Sequence, residues 1–325
     1  MYTLYPIASY DIKLVFPRCV LAGRCSFRQY MPRKPGRYGL KLWVLCDART
    51  SYCWRVKLYM GKPPGEAREV DVAKNVVLEL SEGLRGHNIT FDNFFTSFSL
   101  GQELLQRHLT MVGTVRRNRP ELPPALLTTR GRRLHSSEFA FSQNTTLVTY
   151  IPKNNKNMLL MSTFHNKPNI TQRQDRKLEI IIDYNKTKRG GGVDTMDQLI
   201  SNYSCKRETA RWPLALFSNI LDISAHDGYI VWKELNPGWK ARLKQRRRLF
   251  LQELGEALIG PTVPQQMHLP RGSHAATTVR AIRDAQISQA HPSDVQSTQS
   301  QPSAVPPPPE EKSKRKRVQP VPLFY

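Results

Sequence analysis

The sequence contains no run of about 18 apolar residues, the length a helix needs to cross a bilayer, so no membrane-spanning helix is expected. Cysteine is scarce. The five residues Cys19, Cys25, Cys46, Cys53 and Cys205 form no C-x-x-C pair, which argues against a zinc ribbon or a disulfide framework and fits a reducing compartment. The N-terminal stretch MYTLYPIASYDIKLVF carries Asp11 and Lys13 where a secretory signal needs an unbroken apolar segment. There is no H-E-x-x-H and no G-x-S-x-G, and the glycines at 190–192 lack the Lys-Ser/Thr of a phosphate-binding loop. Zincin, serine-hydrolase and P-loop chemistries are therefore disfavoured. Acidic residues are also few: 26 Asp and Glu against 49 Lys and Arg give a net charge of +23 and a pI near 10.1. A charge of that sign points to a polyanionic partner, nucleic acid being the commonest. Basic residues run through the middle of the chain, as in TVRRNRPEL (114–122) and TTRGRRL (128–134), so tails alone do not carry the charge.

Apolar patterning gives an alternating order of elements. YGLKLWVLCD (38–47) reads as a mostly buried strand ending in aspartate, with SYCWRVKLYMG (51–61) as its hairpin partner across the turn ARTS. VDVAKNVVLELSEGL (70–84) has helical spacing, HNITFD (87–92) is a short strand ending in aspartate, SLGQELLQRHL (99–109) is a helix and TMVGTVR (110–116) a strand. The β-β-α-β-α-β order describes a mixed α/β sheet flanked by helices. Residues 117–188 read as an insertion with its own small hairpin, built from TTLVTYI (145–151) and NMLLMSTFH (157–165). Helical sequence returns in VDTMDQLISNYSC (193–205) and in WPLALFSNILDISAHDGYIVWKEL (212–235), where Pro213 suits a first helical turn. The segment 251–325 is rich in Pro, Gln and Ser and reads as a disordered basic tail. Its KSKRKR (312–317) suits nuclear localisation, or equally a solvated charge cluster.

Three aspartates stand at comparable places. Asp47 and Asp92 end strands, and Asp194 opens a helix after the insertion, with Asp197 on the same helix face. Each has a structural reading as well: Asp47 as a turn former, Asp92 as a cap, and Asp194 with Asp197 as an acidic first turn favoured by the helix dipole. Taken together in so basic a chain, they favour a metal site. Clustered carboxylates repel unless cations sit between them, and hard oxygen donors select Mg²⁺ or Mn²⁺. Two such ions about 4 Å apart support phosphodiester displacement.

The chain at this point resembles the piggyBac-type transposases and their host-domesticated relatives. The resemblance rests on GRCSFRQYMPRKPGRYGLKLWVLCD (23–47), YMGKP (59–63), ITFDNFFTS (89–97), TMVGTVRRNRPELP (110–123), YNKTKRGGGVDTMDQ (184–198) and RWPLALFSNILDISAHDGYIVW (211–232), and covers residues 23 to 250. It implies an RNase H-like, retroviral integrase-type core (23–116 and 189–250) split by the insertion domain 117–188, behind a divergent segment 1–22. It places the catalytic and metal-holding triad on Asp47, Asp92 and Asp194, with Asp197 as a fourth acidic residue. Trp212 would support the site or contact DNA, and is equally explained by core packing. Arg116, Arg117, Arg119, Arg132 and Arg133 are the candidate DNA contacts. The implied activity is Mg²⁺-dependent (or Mn²⁺-dependent) nicking, hairpin formation and strand transfer on double-stranded DNA, at transposon ends and a TTAA target, by a nuclear and homodimeric protein. A second reading is a domesticated DNA- or chromatin-binding protein without catalysis. The family's long N-terminal region and its Cys/His-rich zinc-binding end have no counterpart in these residues, and KRGGGVD is longer than the family's KGGVD.

Overall fold

A computed structural model describes residues 9–15, 24–30, 32, 37–61, 65, 70–172, 174–188, 191–263 and 268–290. In chain order the elements are β1 (Ser9–Val15), β2 (Gln29–Tyr30), β3 (Tyr38–Gly39), β4 (Leu42–Asp47), β5 (Cys53–Leu58), α1 (Val72–Leu80), β6 (Asn88–Phe91), α2 (Phe98–Gln106), β7 (Thr110–Thr114), α3 (Pro124–Leu127), β8 (Ser137–Ser142), β9 (Thr145–Lys153), β10 (Lys156–Ser162), α4 (Glu179–Lys188), α5 (Gly192–Asn202), α6 (Trp212–Leu235), α7 (Arg246–Ile259) and α8 (Ser273–Ala290). The chain divides into two compact units, Met1–Leu254 and Gly255–Tyr325.

Eight strands form one mixed sheet in the order β5-β4-β1-β6-β7-β10-β9-β8. Alternation along the strands sorts the apolar residues onto two faces. Trp43, Leu45, Ile89, Phe91 and Met111 join the α1 and α2 residues Val76, Val77, Leu80, Leu100 and Leu104 in one core. Leu42, Val44 and Cys46 meet Val193, Met196 and Ile200 of α5 on the other face, where Val112, Val148 and Leu160 meet Ile180, Ile181 and Tyr184 of α4. Helices therefore cover both sides, as the patterning predicts. Local signals set the boundaries: Ser97 caps α2 by accepting the Leu100 N–H at 3.3 Å, and Pro213 occupies the first turn of α6.

The structure departs from the sequence reading in three places. β1, within the segment expected to lie outside the core, is a central strand. It pairs antiparallel with β4 and parallel with β6, which would otherwise be two separate edges. The strands of the insertion do not stand apart as a small hairpin, because β10 pairs with β7 and carries β9 and β8 onto the same sheet. Helical sequence also reaches into 251–325. α7 runs on to Ile259, and α8 forms from the Ala-, Arg- and Gln-rich run SHAATTVRAIRDAQISQA, whose residues favour helix without needing a large core. The cluster KSKRKR lies outside the described residues.

Candidate active site

The carboxylates fall into place once strand directions are followed. Asp47 pairs with Tyr10, and Tyr10 pairs with Ile89, so Asp47 stands level with the start of β6. Asp92 follows the far end of that strand. Two strands across and three residues along separate their Cα atoms by about 14 Å. Asp47 is also engaged locally: its Oδ1 accepts the N–H groups of Arg49 (3.1 Å) and Thr50 (2.6 Å) and the Thr50 hydroxyl (2.6 Å). That is the turn-forming arrangement of a short acidic side chain. The structure therefore does not bring Asp47 together with Asp92.

Another aspartate occupies the place between them. Asp11 on β1 pairs with Thr90 on β6 and with Cys46 on β4. Both partners lie on the face covered by α4 and α5, since Thr90 Oγ1 is 2.9 Å from Thr187 Oγ1 and Cys46 Sγ is 3.7 Å from Met196 Sδ. Asp92 lies two residues beyond Thr90, just past the end of the neighbouring parallel strand, which puts it on a diagonal of about 8 Å between Cα atoms. In the sequence Asp11 stands out only as a charge that breaks a would-be signal segment. The clue available was its place in the alternating run SYDIKLV.

α5 brings the remaining carboxylates to this region. Its start presses on β4: a Cβ on Gly192 would lie 2.2 Å from the Asp47 carbonyl oxygen and 2.9 Å from Cys46 Cβ. Only a glycine lets the helix begin that close to the sheet. With Val193, Met196 and Ile200 buried against the strands, Asp194 and Asp197 share one flank of the helix. Asp197 also lines a hollow of about 210 Å³ with Ser201, Ser204, Lys206, Asn219 and Asp222. Arg189 and Gly190, where the loop is longer than the family pattern, lie outside the described residues. Asp92 is held by its own turn, Oδ1 accepting the Phe94 N–H at 2.9 Å and the carbonyl accepting the Thr96 hydroxyl at 2.9 Å. Among the described side chains, which do not include that of Asp11, no three His, Cys, Asp or Glu residues stand close enough to hold a metal ion.

The candidate DNA contacts divide by burial. Arg116 is exposed, with its guanidinium 5.4 Å from the Phe94 ring centroid and Nε 3.4 Å from Asn93 Oδ1. Arg117 and Arg133 are exposed, and Arg119 is half-buried. Arg132 is turned inward and its side chain is 8% exposed. It donates to Thr149 Oγ1 at 2.9 Å and to the Ser136 carbonyl at 3.3 Å, and it faces Glu138, so it ties β9 to the loop before β8. Trp212 packs edge-on to Phe27 with centroids 4.9 Å apart at the start of α6.

Other polar groupings serve the structure. Ser162, His165 and Asp183 form a Ser–His–Asp line, with 3.0 Å from Ser162 Oγ to His165 Nδ1 and 3.1 Å from His165 Nε2 to Asp183 Oδ2. Ser162 is fully buried, donates to the Met111 carbonyl at 3.1 Å and accepts two backbone N–H groups, so it is a turn residue with no access to a substrate. On α6, His226 donates Nε2–H to the Ser51 carbonyl, and burial pushes its pKa down to about 4. Asp227 accepts the Cys53 N–H at 2.9 Å, and burial pushes its carboxyl up to about 7. Both groups lock α6 to the β4–β5 hairpin.

This arrangement is a mixed sheet with carboxylates on its central strands and on the helix packed over them. A family model described as Transposase IS4 matches residues 9–229, and the chain belongs to that family. Within it the relationship is to the piggyBac type. The match begins at Ser9, the first residue of β1. The human PiggyBac transposable element-derived protein 3 is 32% identical over 108 residues, a match covering 31% of this chain and 18% of that protein. The human chimeric ERCC6-PGBD3 protein shows the same identity over the same length, covering 10% of its own chain. The match thus spans less than a fifth of either curated relative. A cryo-EM structure of a piggyBac transposase synaptic complex with hairpin DNA superimposes with a TM-score of 0.73 at 35% identity, covering 91% of this chain and 60% of that one.

Proposed function

We propose that this chain is the catalytic core of a piggyBac-type DNA transposase whose acidic residues are Asp11, Asp92 and Asp194, flanked by Asp197. The observation that carries the reading is the register of Asp11 opposite Thr90, two residues before Asp92, where β1 and β6 run parallel beneath the helix that bears Asp194. It moves the first carboxylate from Asp47, which serves its own turn. The donor set is made of carboxylate oxygens alone, which suits Mg²⁺ or Mn²⁺ and disfavours softer metals. Asp11, Asp92 and Asp194 would hold such an ion, which would supply Lewis-acid chemistry for phosphodiester displacement. The protein's own part is placement: β1 and β6 fix Asp11 and Asp92 on a stiff sheet, and Gly192 lets α5 bring Asp194 down onto it. The +23 charge, with Arg116, Arg117 and Arg133 exposed, supports a grip on the phosphate backbone. The hairpin DNA bound by the structural neighbour supports double-stranded DNA as substrate. Transposon-end and TTAA recognition, a homodimer and a nuclear location are extensions of the same family reading.

The test is Mn²⁺- or Mg²⁺-dependent nicking of a duplex carrying a TTAA-flanked end. Nicking that disappears in Asp11→Asn, Asp92→Asn and Asp194→Asn and persists in Asp47→Asn is expected. A wild-type protein that binds the duplex without nicking it would establish the non-catalytic reading instead.

A further inference from the structure

On the face of the sheet opposite α5, a trough of about 1250 Å³ opens where β4 begins and β5 ends. Its lining combines the rings of Trp43, Tyr59 and Phe94 with the cations of Lys41, Arg116 and Arg119. The Lys41 ammonium lies 4.0 Å from the Trp43 ring, 4.4 Å from Tyr59 and 5.8 Å from Phe94, measured to the centroids. Two other lysines of the lining are neutralised, Lys57 by Glu79 and Lys74 by Glu103. No carboxylate pairs with Lys41 among the described residues, and burial lowers its pKa. Arg119 Nε is buried there with no hydrogen-bond partner. Asp71 is the one carboxylate of the lining, and among the described residues neither Lys41 nor Arg119 is ion-paired, so the trough holds half-buried positive charge in excess.

The position of the trough bears on what would neutralise that charge. Phe94, one wall, is the residue whose N–H is held by Asp92 Oδ1, so the trough starts beside the candidate active site. Intact duplex presents phosphates but keeps its base faces stacked inside, out of reach of aromatic side chains. An extruded or single-stranded nucleotide offers a flat π face and a phosphate together, the combination that stacking-and-cation sites use. An acidic peptide would satisfy the cations and leave the rings without a planar partner. We propose that this trough receives an unpaired nucleotide of the DNA strand, its base against Tyr59 and Phe94 and its phosphate on Lys41, Arg116 and Arg119. The proposal rests on the DNA-transposase reading and adds a base-holding subsite to it.

The experiment uses the full chain without divalent metal, so that cleavage plays no part. Two duplexes differ only in whether one 2-aminopurine nucleotide is paired or bulged, and binding is followed by anisotropy and by 2-aminopurine emission. Stacking of one base gives an expected preference of about tenfold for the bulged duplex, with quenched emission. Phe94→Leu and Tyr59→Leu are expected to abolish the preference and the quenching while leaving paired-duplex affinity close to wild type. Lys41→Gln, a milder change to the fold, is expected to weaken bulged DNA more than paired DNA. Equal affinity of the wild type for the two duplexes would overturn the proposal, as would a preference that survives in both Phe94→Leu and Lys41→Gln. A polyglutamate peptide that binds in a Lys41-dependent way while the two duplexes bind alike would reassign the trough to an acidic segment. This metal-free binding assay is independent of the nicking test, so a base preference without nicking defeats the transposase activity alone, and nicking without a base preference defeats the subsite alone.

Discussion

Gly192 lies directly against the main-chain carbonyl of Asp47, so close that a methyl group there would sit 2.2 Å from the oxygen. Backbone cannot yield as a flexible side chain does. Gly192→Ala is therefore expected to destabilise the protein by roughly 1–3 kcal/mol through overpacking. It should also lift the start of α5, so nicking should fall further than the fraction unfolded explains. Thermal denaturation and nicking of the same preparation check this, and normal activity in a merely less stable protein would show that the α5 start does not position the site.

Asp47 and Asp11 provide a paired test. Asp47→Ala removes the acceptor of three turn hydrogen bonds and is expected to cost about 1–2 kcal/mol of stability. Nicking should be retained at temperatures where the variant is folded. Asp11→Asn should leave stability nearly unchanged and abolish nicking. The reverse pattern would restore Asp47 to the active site.

The buried pair on α6 gives a pH signature. His226 titrates at about 4 when folded against a usual 6.5, so the unfolded chain binds the extra proton between these values. Its contribution is therefore fully present above 6.5 and is lost as pH falls toward 4. Asp227 titrates at about 7 against 3.8, so here the folded chain holds the extra proton. That contribution is present below 3.8 and is lost as pH rises toward 7. The two slopes oppose each other between pH 4 and 6.5. Asp227→Asn is expected to expose the histidine slope, with stability rising from pH 4 to 6.5 and then level. Denaturant midpoints across this range check it, and a profile unchanged from wild type would show that Asp227 is not protonated in the fold.

The arginines should separate by role. Arg116→Ala and Arg133→Ala are each expected to reduce the slope of log affinity against log salt by about one, as loss of one phosphate contact does. Arg132→Ala should instead lower the melting temperature, because its buried guanidinium ties β9 to the loop before β8, and should leave the salt slope unchanged. Salt titrations with the three variants distinguish the roles.

Local pattern made much of this architecture legible. The β4–β5 hairpin, α1, β6, α2, β7, α5 and α6 all follow from alternation, helical spacing and caps that act within a few residues. β1 escaped because its partners, Leu42–Asp47 and Asn88–Thr90, are remote, and its Asp11 and Lys13 make it look too polar for a central strand. The same remoteness hides Asp11, the first carboxylate of the proposed site. Asp47 and Asp92 both end strands, but strand ends converge only when the strands run the same way, and β4 runs against β1 while β6 runs with it. Arg132 and Arg133 are sequence neighbours of like charge, and only the turn before β8 decides that one is inside and the other outside.

The wedging of β1 between β4 and β6 also constrains how the protein is made. During synthesis residues 9–15 emerge before the other strands of the sheet, but their parallel partner is complete only when Phe91 has left the ribosome. Until then β4 and β5 form a hairpin with an open edge, and β1 has at most one neighbour. Closure of this sheet is a long-range event of the slow kind, and the waiting edges are sticky. A growing chain held at low temperature or in excess chaperone should accordingly yield more soluble protein than rapid expression.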